Sequence, residues 1–349
     1  MLGAMRAWLL DNPGSPGALR LADLASPFRS RPRRAEVELL VAVDAVAVTP
    51  TDVQAATGLS TDRSPDWSGP IILGADVAGR VVGVRTEERI REEQSWRIPE
   101  LGSRVLFHQD PRERGGFAEL TLVDADVVAP IPPHLDPIGA ASLPSAGLTA
   151  LDAVERRLRR IEDQTVLVTG APGGVGGFAI QLAKLFGAKV IATRTQRGDE
   201  ELARCLGALY VAPAQGAELR EAVAEIAPDG VDAVIDTVSA SSAAAALDLL
   251  AFAGHLVATA GRPDPSQSAD PGRCPTISEV VLTSTYTHAG PAGRRWLVWG
   301  LDRLMRLVQE GYLQPPPIEV VGFAEIPAAL ERLAEGRAAG PVVANLRWV

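Results

Sequence analysis

The sequence predicts an α/β protein that combines a β-rich, barrel-like part with a doubly wound parallel sheet. Strand-like runs separated by glycine and proline fill residues 36–123, whereas helical and strand-like patterns alternate after Pro137. Such alternation is typical of a parallel sheet with helices on both faces. A length of 349 residues suits two domains, and a hydrophobic fraction of 46% can fill both cores.

The β-rich part contains apolar or alternating runs that are bounded by turn residues. These runs predict strands at residues 36–48, 77–84, 104–107 and 117–123. The charged, glycine-free stretch 85–100 is predicted to be a solvated excursion between two strands, and a partner-binding role is the alternative.

The second part alternates short apolar runs with helical patterns. Helices are predicted at 138–160, 216–227 and 241–253, and strands at 166–169, 189–193, 209–212, 231–236, 255–260 and 279–286. The stretch 261–275, rich in Pro, Asp, Ser and Gly, predicts a loop at the carboxyl end of a strand, where ligands tend to lie.

The C-terminal region returns to a mixture of helices and strands. The apolar stripe from Leu297 to Val308 predicts a helix that Gly311 can terminate. A strand at 318–321, a helix at 326–335 and a final strand at 341–346 follow, and we expect the last strand to return to the first domain.

One segment carries a specific chemical signal. Residues 166–184 read as a buried strand, a turn rich in glycine and a helix, and a second buried strand follows at 189–193. Glycines let the backbone approach a ligand, and a helix N-terminus offers free N–H groups and a partial positive charge. The segment therefore predicts a site for the pyrophosphate of a dinucleotide, and a tight turn without a ligand is the alternative.

Charge and cysteine content restrict the class of protein. The net charge is −9, which argues against a nucleic-acid-binding surface. Cys205 and Cys274 are far apart and match no metal or redox spacing. Residues 1–10 show no secretory signal, and no run approaches the roughly 20 apolar residues of a membrane span. We therefore expect a soluble cytoplasmic protein that does not associate with membranes.

Several short motifs, in one order and spacing, carry a resemblance to a known family. They are Thr49–Gln54 with Gly58, Leu73–Gly79, Gly102–Val105, Gly115–Glu119, Leu143–Ala150, the glycine turn and Asp236–Val238. Over nearly the whole chain the sequence resembles the medium-chain dehydrogenase/reductase superfamily, and within it the zinc-free quinone oxidoreductases of the zeta-crystallin group.

The resemblance implies two domains and a second copy of the same chain as a partner. A GroES-like β-barrel substrate domain would comprise residues 1–132 and be completed by 295–349, and a Rossmann domain would comprise 133–294. It also implies a cleft between the two domains and a homodimer joined through the edge strands of the Rossmann sheets.

The residues after the second Rossmann strand bear on the choice of cofactor. An NAD enzyme usually places an acid near the end of that strand, to bind the ribose hydroxyls. Here Thr193, Arg194, Thr195 and Arg197 stand there, and no carboxylate occurs before Asp199. Guanidinium and hydroxyl groups suit a 2′-phosphate, so the sequence favours NADPH, with solvated surface arginines as the alternative.

The resemblance assigns further cofactor contacts and shows one departure from the family. Where relatives often carry a lysine and a tyrosine near the adenosine phosphate, this chain has Asp199 and Ala214. The other implied contacts are Gly173, Gly174 and Val175 along the pyrophosphate, Thr237 and Val238 beside the adenosine and ribose, and Ala260 and Gly261 near the nicotinamide.

The alcohol-oxidising relatives hold a catalytic zinc through cysteine and histidine. At the matching positions this chain has Thr49–Pro50 and Ala75, and the segment Leu143–Thr149 contains neither Cys nor His. The four histidines are dispersed, and none has a partner at ligand spacing. We therefore predict a metal-free site, which suits conjugate reduction because the developing oxyanion needs only hydrogen-bond donors.

Two residues are candidates for catalysis. Some related reductases carry a tyrosine in the segment after Asp52, where this chain has Gln54 and Ser60, so no general acid is predicted. Gln54 can donate to a carbonyl oxygen, and a loop amide bonded to backbone is the alternative. Thr149 follows a family position near the nicotinamide, and its alternative is a helix residue bonded to backbone. His108 is expected to end a strand that faces the cleft, where it contacts either substrate or structural partners only.

The sequence and the resemblance together predict an NADPH-dependent reductase of quinones or α,β-unsaturated carbonyls. Two alternatives remain open. One is a biosynthetic reductase of an enoyl thioester or a polyketide enone, and the other is a cofactor-binding protein with little turnover.

Overall fold

A computed structural model describes residues 4–30, 35–59, 69–87, 98–171, 173–194, 199–338 and 340–346. Thr195, Arg197 and residues 88–97 of the predicted excursion lie outside these ranges. The chain forms two compact units. The terminal unit comprises residues 1–145, 283–306 and 317–349, and the central unit comprises 146–282 and 307–316. The predicted domain limits at 132/133 and 294/295 stay predictions.

The described residues contain fifteen strands. They are β1 (Ala4–Leu10), β2 (Leu19–Ala25), β3 (Val37–Val48), β4 (Asp76–Thr86), β5 (Arg104–His108), β6 (Leu120–Asp124), β7 (Ala129–Pro130), β8 (Thr165–Val168), β9 (Lys189–Arg194), β10 (Tyr210–Pro213), β11 (Val231–Asp236), β12 (Leu250–Ala258), β13 (Thr276–Glu279), β14 (Glu319–Gly322) and β15 (Val342–Asn345).

The α-helices in the same ranges are α1 (Pro27–Ser30), α2 (Pro50–Thr57), α3 (Pro137–Ala141), α4 (Pro144–Leu151), α5 (Gly174–Leu185), α6 (Asp199–Leu206), α7 (Gly216–Ile226), α8 (Ala240–Ala246), α9 (Ser284–His288), α10 (Gly290–Gln309) and α11 (Ile326–Ala334). A π-helical segment, Asp152–Leu158, continues α4. None of these described helices combines the length and the apolar character that a membrane span requires.

The terminal unit is built on a seven-stranded sheet. Its strands follow the order β14-β15-β3-β4-β5-β7, and β6 also pairs with β3. Only β14 and β15 pair in parallel, and the C-terminal strand β15 lies antiparallel to β3. β3 is buried along almost its whole length, which explains why its apolar residues alternate only in part. The predicted β-rich part is confirmed.

The central unit is built on a fully parallel six-stranded sheet. The strand order is β10-β9-β8-β11-β12-β13, so the direction of chain progress reverses between β8 and β11. Buried aliphatic side chains from neighbouring strands, including Leu167, Ile191 and Val234, pack with α7 and α8 in one core. The predicted doubly wound sheet is confirmed.

Two predicted elements, the strand at 279–286 and the helix at 241–253, differ from the structure. The predicted strand at 279–286 is wrong, because β13 ends at Glu279 and α9 contains Tyr286, whose buried side chain overrides the local β-propensity. The predicted helix at 241–253 ends early, since β12 already begins at Leu250.

The N-terminal hairpin was not predicted at all. β1 and β2 pair antiparallel over seven residues each. In β1 the side chains of Met5, Ala7 and Leu9 are buried in alternation, so a period-two signal was present in the sequence.

The close pairing of β3 and β4 yields a stability prediction. A Cβ at Gly79 would lie 2.3 Å from the carbonyl oxygen of Ala42, which is backbone and cannot rotate away. We expect Gly79→Ala to lower the free energy of unfolding by about 2 to 3 kcal/mol or more, as overpacking does. Urea titration measures this loss.

The matched control is Gly14→Ala, where the added methyl would meet no atom within 4 Å. Its free energy of unfolding should stay within about 1 kcal/mol of the wild-type value. Equal stabilities of the two variants would contradict the described register of β3 and β4.

Candidate cofactor site

The carboxyl ends of three neighbouring strands form the candidate site in the central unit. β8 lies between β9 and β11, and the strand order reverses there. Ligands of open α/β sheets bind in the crevice outside the carboxyl ends of the strands at such a reversal. The glycine turn follows β8, and Thr237 and Val238 follow β11, so both predicted segments meet at this edge.

Hydrogen bonds fix the glycine turn against the neighbouring strands. The Gly170 N–H donates to Thr193 Oγ1 at 3.2 Å, and Thr237 Oγ1 donates to the Thr169 carbonyl oxygen at 2.7 Å. Gly170 has a φ of +74°, and a Cβ there would lie 2.4 Å from Thr237 Oγ1. Only glycine therefore fits at this position without strain.

Helix α5 begins directly after the turn and leaves its N-terminus without a side-chain cap. Gly173 is the N-cap residue, and a Cβ at Gly176 would lie 2.8 Å from the Gly170 carbonyl oxygen. This contact lets the helix approach the turn closely. The first N–H groups of a helix have no partner within it, so this N-terminus can accept a pyrophosphate.

The buried carboxylate of Asp236 organises the site. It is fully buried and accepts hydrogen bonds from Thr169 Oγ1 at 2.7 Å and from Ser242 Oγ at 2.5 Å. The backbone N–H groups of Val238 and Ser239 donate to its other oxygen at 3.1 and 3.2 Å. One side chain therefore joins the ends of β8 and β11 to the start of α8.

The sequence motif contained Asp236, but the sequence analysis gave it no role. The signal that could have revealed one is an acidic residue at the end of an otherwise apolar strand, because a buried carboxylate must have hydrogen-bond partners.

The two predicted residues at the end of β9 lie in different environments. Thr193 is buried, and its hydroxyl already accepts the Gly170 N–H, so it positions the turn. Arg194 is partly exposed, and its Nε lies 3.8 Å from Glu200 Oε2 in the first turn of α6. The structure thus places a carboxylate beside the arginine that was predicted to bind the 2′-phosphate.

The other predicted residues of the central unit lie at several places. Val238 is exposed, and its side chain would approach a Cβ at Gly170 to 2.9 Å. Ala260 and Gly261 follow β12 and are exposed, and Gly261 has a φ of +134°. Val175 is half-buried in the first turn of α5.

The two catalytic candidates belong to different units. Thr149 is buried in α4, within the central unit. Gln54 lies on α2 in the terminal unit, and its side chain is exposed. Their roles stay predictions.

The terminal unit contains a buried polar cluster formed by Asp76, His108, Ser145 and Tyr286. The Asp76 carboxylate accepts the N–H of Ser145 at 2.9 Å and its hydroxyl at 2.7 Å, and thereby caps the start of α4. His108 stacks on Tyr286 with ring centroids 5.7 Å apart, and the tyrosine hydroxyl donates to the His108 carbonyl oxygen. His108 therefore has structural partners.

Burial sets the protonation of this cluster. It raises the pKa of Asp76 to about 7, against the lowering effect of the Ser145 hydrogen bonds. It lowers the pKa of His108 to about 4, so the ring is neutral near pH 7. The distance of 4.0 Å between His108 Nε2 and Asp76 Oδ1 is too long for a hydrogen bond.

Asp52 is the N3 residue of a capping box at the start of α2, whose N-cap residue is Thr49. Its carboxylate accepts the Thr49 N–H at 2.8 Å and the Thr49 hydroxyl at 2.7 Å, and its other oxygen accepts the Gly74 N–H at 2.8 Å. Burial raises its pKa, and these hydrogen bonds oppose the shift.

The residues at two positions where zinc-dependent relatives have ligands do not suit a zinc ion. Thr49 and Ala75 stand where zinc-dependent relatives of the family that the sequence resembles have ligands, and neither supplies imidazole or thiolate. Among the residues that the structure describes, no three His, Cys, Asp or Glu side chains group as a metal site. Cys205 and Cys274 are both exposed.

Two family models match the chain. The model described as alcohol dehydrogenase GroES-like domain matches residues 35–133, and the model described as zinc-binding dehydrogenase matches residues 174–289. Together they cover more than half of the sequence. The predicted fold class, a GroES-like β-barrel domain with a Rossmann doubly wound sheet, is confirmed.

Curated relatives and solved structures align over nearly the whole chain. The mitochondrial NAD(P)H oxidoreductase RTN4IP1 of Danio rerio is 27% identical, over 98% of this chain and 91% of its own. The 2-methylene-furan-3-one reductase of Solanum lycopersicum is 29% identical, over 97% and 78%. An alcohol dehydrogenase superfamily protein from Novosphingobium aromaticivorans superposes with a TM-score of 0.82 at 28% identity, over 98% and 100%.

The hydrogen bonds of Asp236 predict a cost for neutralising this side chain. Asp236→Asn replaces charge-assisted bonds by neutral ones, and the hydroxyls of Thr169 and Ser242 must turn to accept from the amide N–H group. We expect the free energy of unfolding to fall by about 2 kcal/mol. The exposed Asp229→Asn in the same unit should change it by less than about 0.5 kcal/mol. Equal urea midpoints for the two variants would refute the organising role.

The raised pKa of Asp76 predicts a pH dependence of stability. The folded protein holds the Asp76 proton more tightly than the unfolded chain, so this contribution is present at low pH and is lost as pH rises toward 7. Asp76→Asn removes the dependence. As the pH rises from about 5 to about 8, we expect the free energy of unfolding of Asp76→Asn to increase by about 2 to 3 kcal/mol relative to that of the wild type.

The control for this comparison is Asp23→Asn, an exposed carboxylate on β2 of the same unit. Its stability should follow that of the wild type across the pH range. If the Asp76→Asn difference does not change with pH, Asp76 titrates at an ordinary carboxyl pKa.

Proposed function

This chain belongs to the medium-chain dehydrogenase/reductase superfamily, and from this premise we propose that it is an NADPH-dependent reductase of quinones or α,β-unsaturated carbonyls that works without a metal. The observation that supports this proposal best is the glycine turn at the reversal point of the parallel sheet. The relatives from Danio rerio and Solanum lycopersicum, named as an NAD(P)H oxidoreductase and a reductase, agree with it.

The residues of the turn would hold the dinucleotide. Gly173, Gly174 and Val175 would lie along the pyrophosphate at the start of α5. Gly174 and Val175 would donate backbone N–H groups to it, whereas the Gly173 N–H donates to the Gly170 carbonyl oxygen at 3.0 Å. Thr237 and Val238 would flank the adenosine and ribose, and Ala260 and Gly261 would approach the nicotinamide end. Asp236 and Thr193 keep these segments in place through the hydrogen bonds described above.

The preference for NADPH rests on Arg194. It ends β9 with its guanidinium partly exposed, and no carboxylate occupies the strand end itself. A guanidinium binds phosphate oxygens with charge-assisted hydrogen bonds. Thr195 and Arg197 would add to this site, as the sequence predicts.

The proposed reaction is the transfer of hydride, which bound NADPH supplies, to an electron-poor carbon of the substrate. Gln54 would donate its amide N–H to the carbonyl oxygen, where negative charge develops. The exposed side chain of Gln54 is available for this role. Thr149 would orient the nicotinamide. The name 2-methylene-furan-3-one describes a conjugated enone, which favours this substrate class over a simple alcohol.

Metal independence is part of the proposal. It is supported by the donor set, since the positions of Thr49 and Ala75 cannot supply zinc ligands. An enone or quinone is already electrophilic and does not require a Lewis acid, whereas deprotonation of an unactivated alcohol is difficult without one. The homodimer and the cytoplasmic location stay predictions.

Cofactor titration followed by a substrate panel tests the function. We expect tighter binding of NADPH than of NADH, measured by nicotinamide fluorescence, and saturable NADPH oxidation with an enone or a quinone. Dialysis against a chelator should leave the rate unchanged. Turnover confined to enoyl thioesters would favour the biosynthetic alternative, and tight binding without turnover would favour a cofactor-binding protein.

A pair of variants ties the result to the proposed site. Gly174→Leu adds a side chain at the first residue of α5, where the pyrophosphate would lie, and should weaken NADPH binding at least about tenfold. Ala217→Leu makes a similar addition at the exposed start of α7 and should bind NADPH as the wild type does. Equal affinities of the two variants would remove the glycine turn from the binding site, and activity restored by zinc would overturn the metal-free proposal.

A further inference from the structure

We propose that Glu200 is a specificity-determining residue that opposes NADPH. Its carboxylate pairs with Arg194 and would repel a 2′-phosphate that binds there. The strength of the NADPH preference would then depend on the balance between one arginine and one glutamate. This inference rests on the proposed function and extends it to a residue to which the sequence analysis assigned no role.

The geometry places Glu200 between two guanidinium groups. Its Oε2 lies 3.8 Å from Arg194 Nε, across the gap between β9 and α6. Its Oε1 accepts hydrogen bonds from Arg204, one helical turn later, at 3.1 Å from one terminal nitrogen and 3.3 Å from Nε. The hydrogen bonds from Arg204 to Oε1 therefore keep the Glu200 carboxylate in a position where its other oxygen, Oε2, faces Arg194.

The contact with Arg194 is an ion pair and not a hydrogen bond, because 3.8 Å exceeds hydrogen-bond distance. The side chains of Arg194 and Glu200 are 35% and 44% exposed, so a ligand can reach both. Ion pairs between exposed side chains are weak. A phosphate can therefore compete for Arg194, although the carboxylate stays nearby through Arg204.

The position of Arg194 and Glu200 would let this ion pair distinguish NADPH from NADH. Arg194 lies about 20 residues after the glycine turn, at the strand end where dinucleotide sites recognise the ribose 2′ position. A 2′-phosphate carries up to two negative charges and is repelled by a carboxylate at this distance. A 2′-hydroxyl carries none and can donate a hydrogen bond to Glu200. Glu200 thus favours NADH, while Arg194 favours NADPH.

The test is a comparison of cofactor affinities in Glu200→Gln and wild type, with both dissociation constants measured by fluorescence titration. We expect the ratio of the NADH to the NADPH dissociation constant to rise about three- to tenfold. In an Arg194→Gln background the same substitution should raise the ratio less than it does in wild type, because the release of Arg194 no longer contributes and only the direct effects of the carboxylate on the 2′-phosphate and the 2′-hydroxyl are removed.

Glu201→Gln is the matched control. Glu201 is the next residue on the same helix, is exposed and carries the same charge, so this variant reports the general effect of removing one negative charge. Its ratio should stay within about twofold of wild type. An equal rise in Glu201→Gln and Glu200→Gln, or an unchanged ratio in Glu200→Gln, would overturn the inference.

The failure of this inference can be told from a failure of the proposed function. If wild type binds NADPH and only the ratio is unaffected by Glu200→Gln, the reductase proposal stands and Glu200 has no part in selectivity. If wild type binds neither cofactor, the proposed function fails, and the inference fails with it.

Discussion

The central unit depends on one buried charge. The Asp236 carboxylate accepts hydrogen bonds from Thr169 at the end of β8, from the backbone N–H groups of Val238 and Ser239, and from Ser242 on α8. Its backbone carbonyl oxygen accepts the N–H of Thr259, which follows β12, at 2.9 Å. A buried carboxylate with fewer partners would be costly. The requirement that every lone pair be satisfied therefore fixes the ends of β8, β11 and β12 relative to one another. Two of these strands, β8 and β11, border the edge at which the dinucleotide is proposed to bind.

The terminal unit uses buried carboxylates in a different way. Asp52 and Asp76 cap the starts of α2 and α4, and no basic side chain lies among the groups that hydrogen-bond to them within the described residues. Burial consequently raises the pKa of both. By contrast, Arg194 and Glu200 are partly exposed, so their pair costs little to rearrange. Buried groups fix the architecture, and the proposed cofactor selectivity rests on this exposed pair of charges.

Much of the architecture could be predicted from local patterns. The parallel strands are short apolar runs between helices, and the glycine turn stands between a strand and a helix, the context that makes such a motif specific. The helix α9 was missed because Tyr286 is held by packing against His108, which no local pattern reports. The partner of Arg194 was missed for the same reason, since Glu200 meets it only after the chain has turned from β9 into α6. The role of Thr193 as a cofactor contact stays a prediction, and its hydroxyl also accepts a backbone N–H of the turn, a bond that no local pattern reports.

The central claim is that a dinucleotide binds at the carboxyl ends of β8, β9 and β11. A crystal structure of the protein grown with NADPH tests it most directly. We expect electron density for the pyrophosphate at the N-terminus of α5, with the 2′-phosphate beside Arg194. Density for NADPH at another place, or a turn without ligand at a saturating concentration of NADPH, would contradict it.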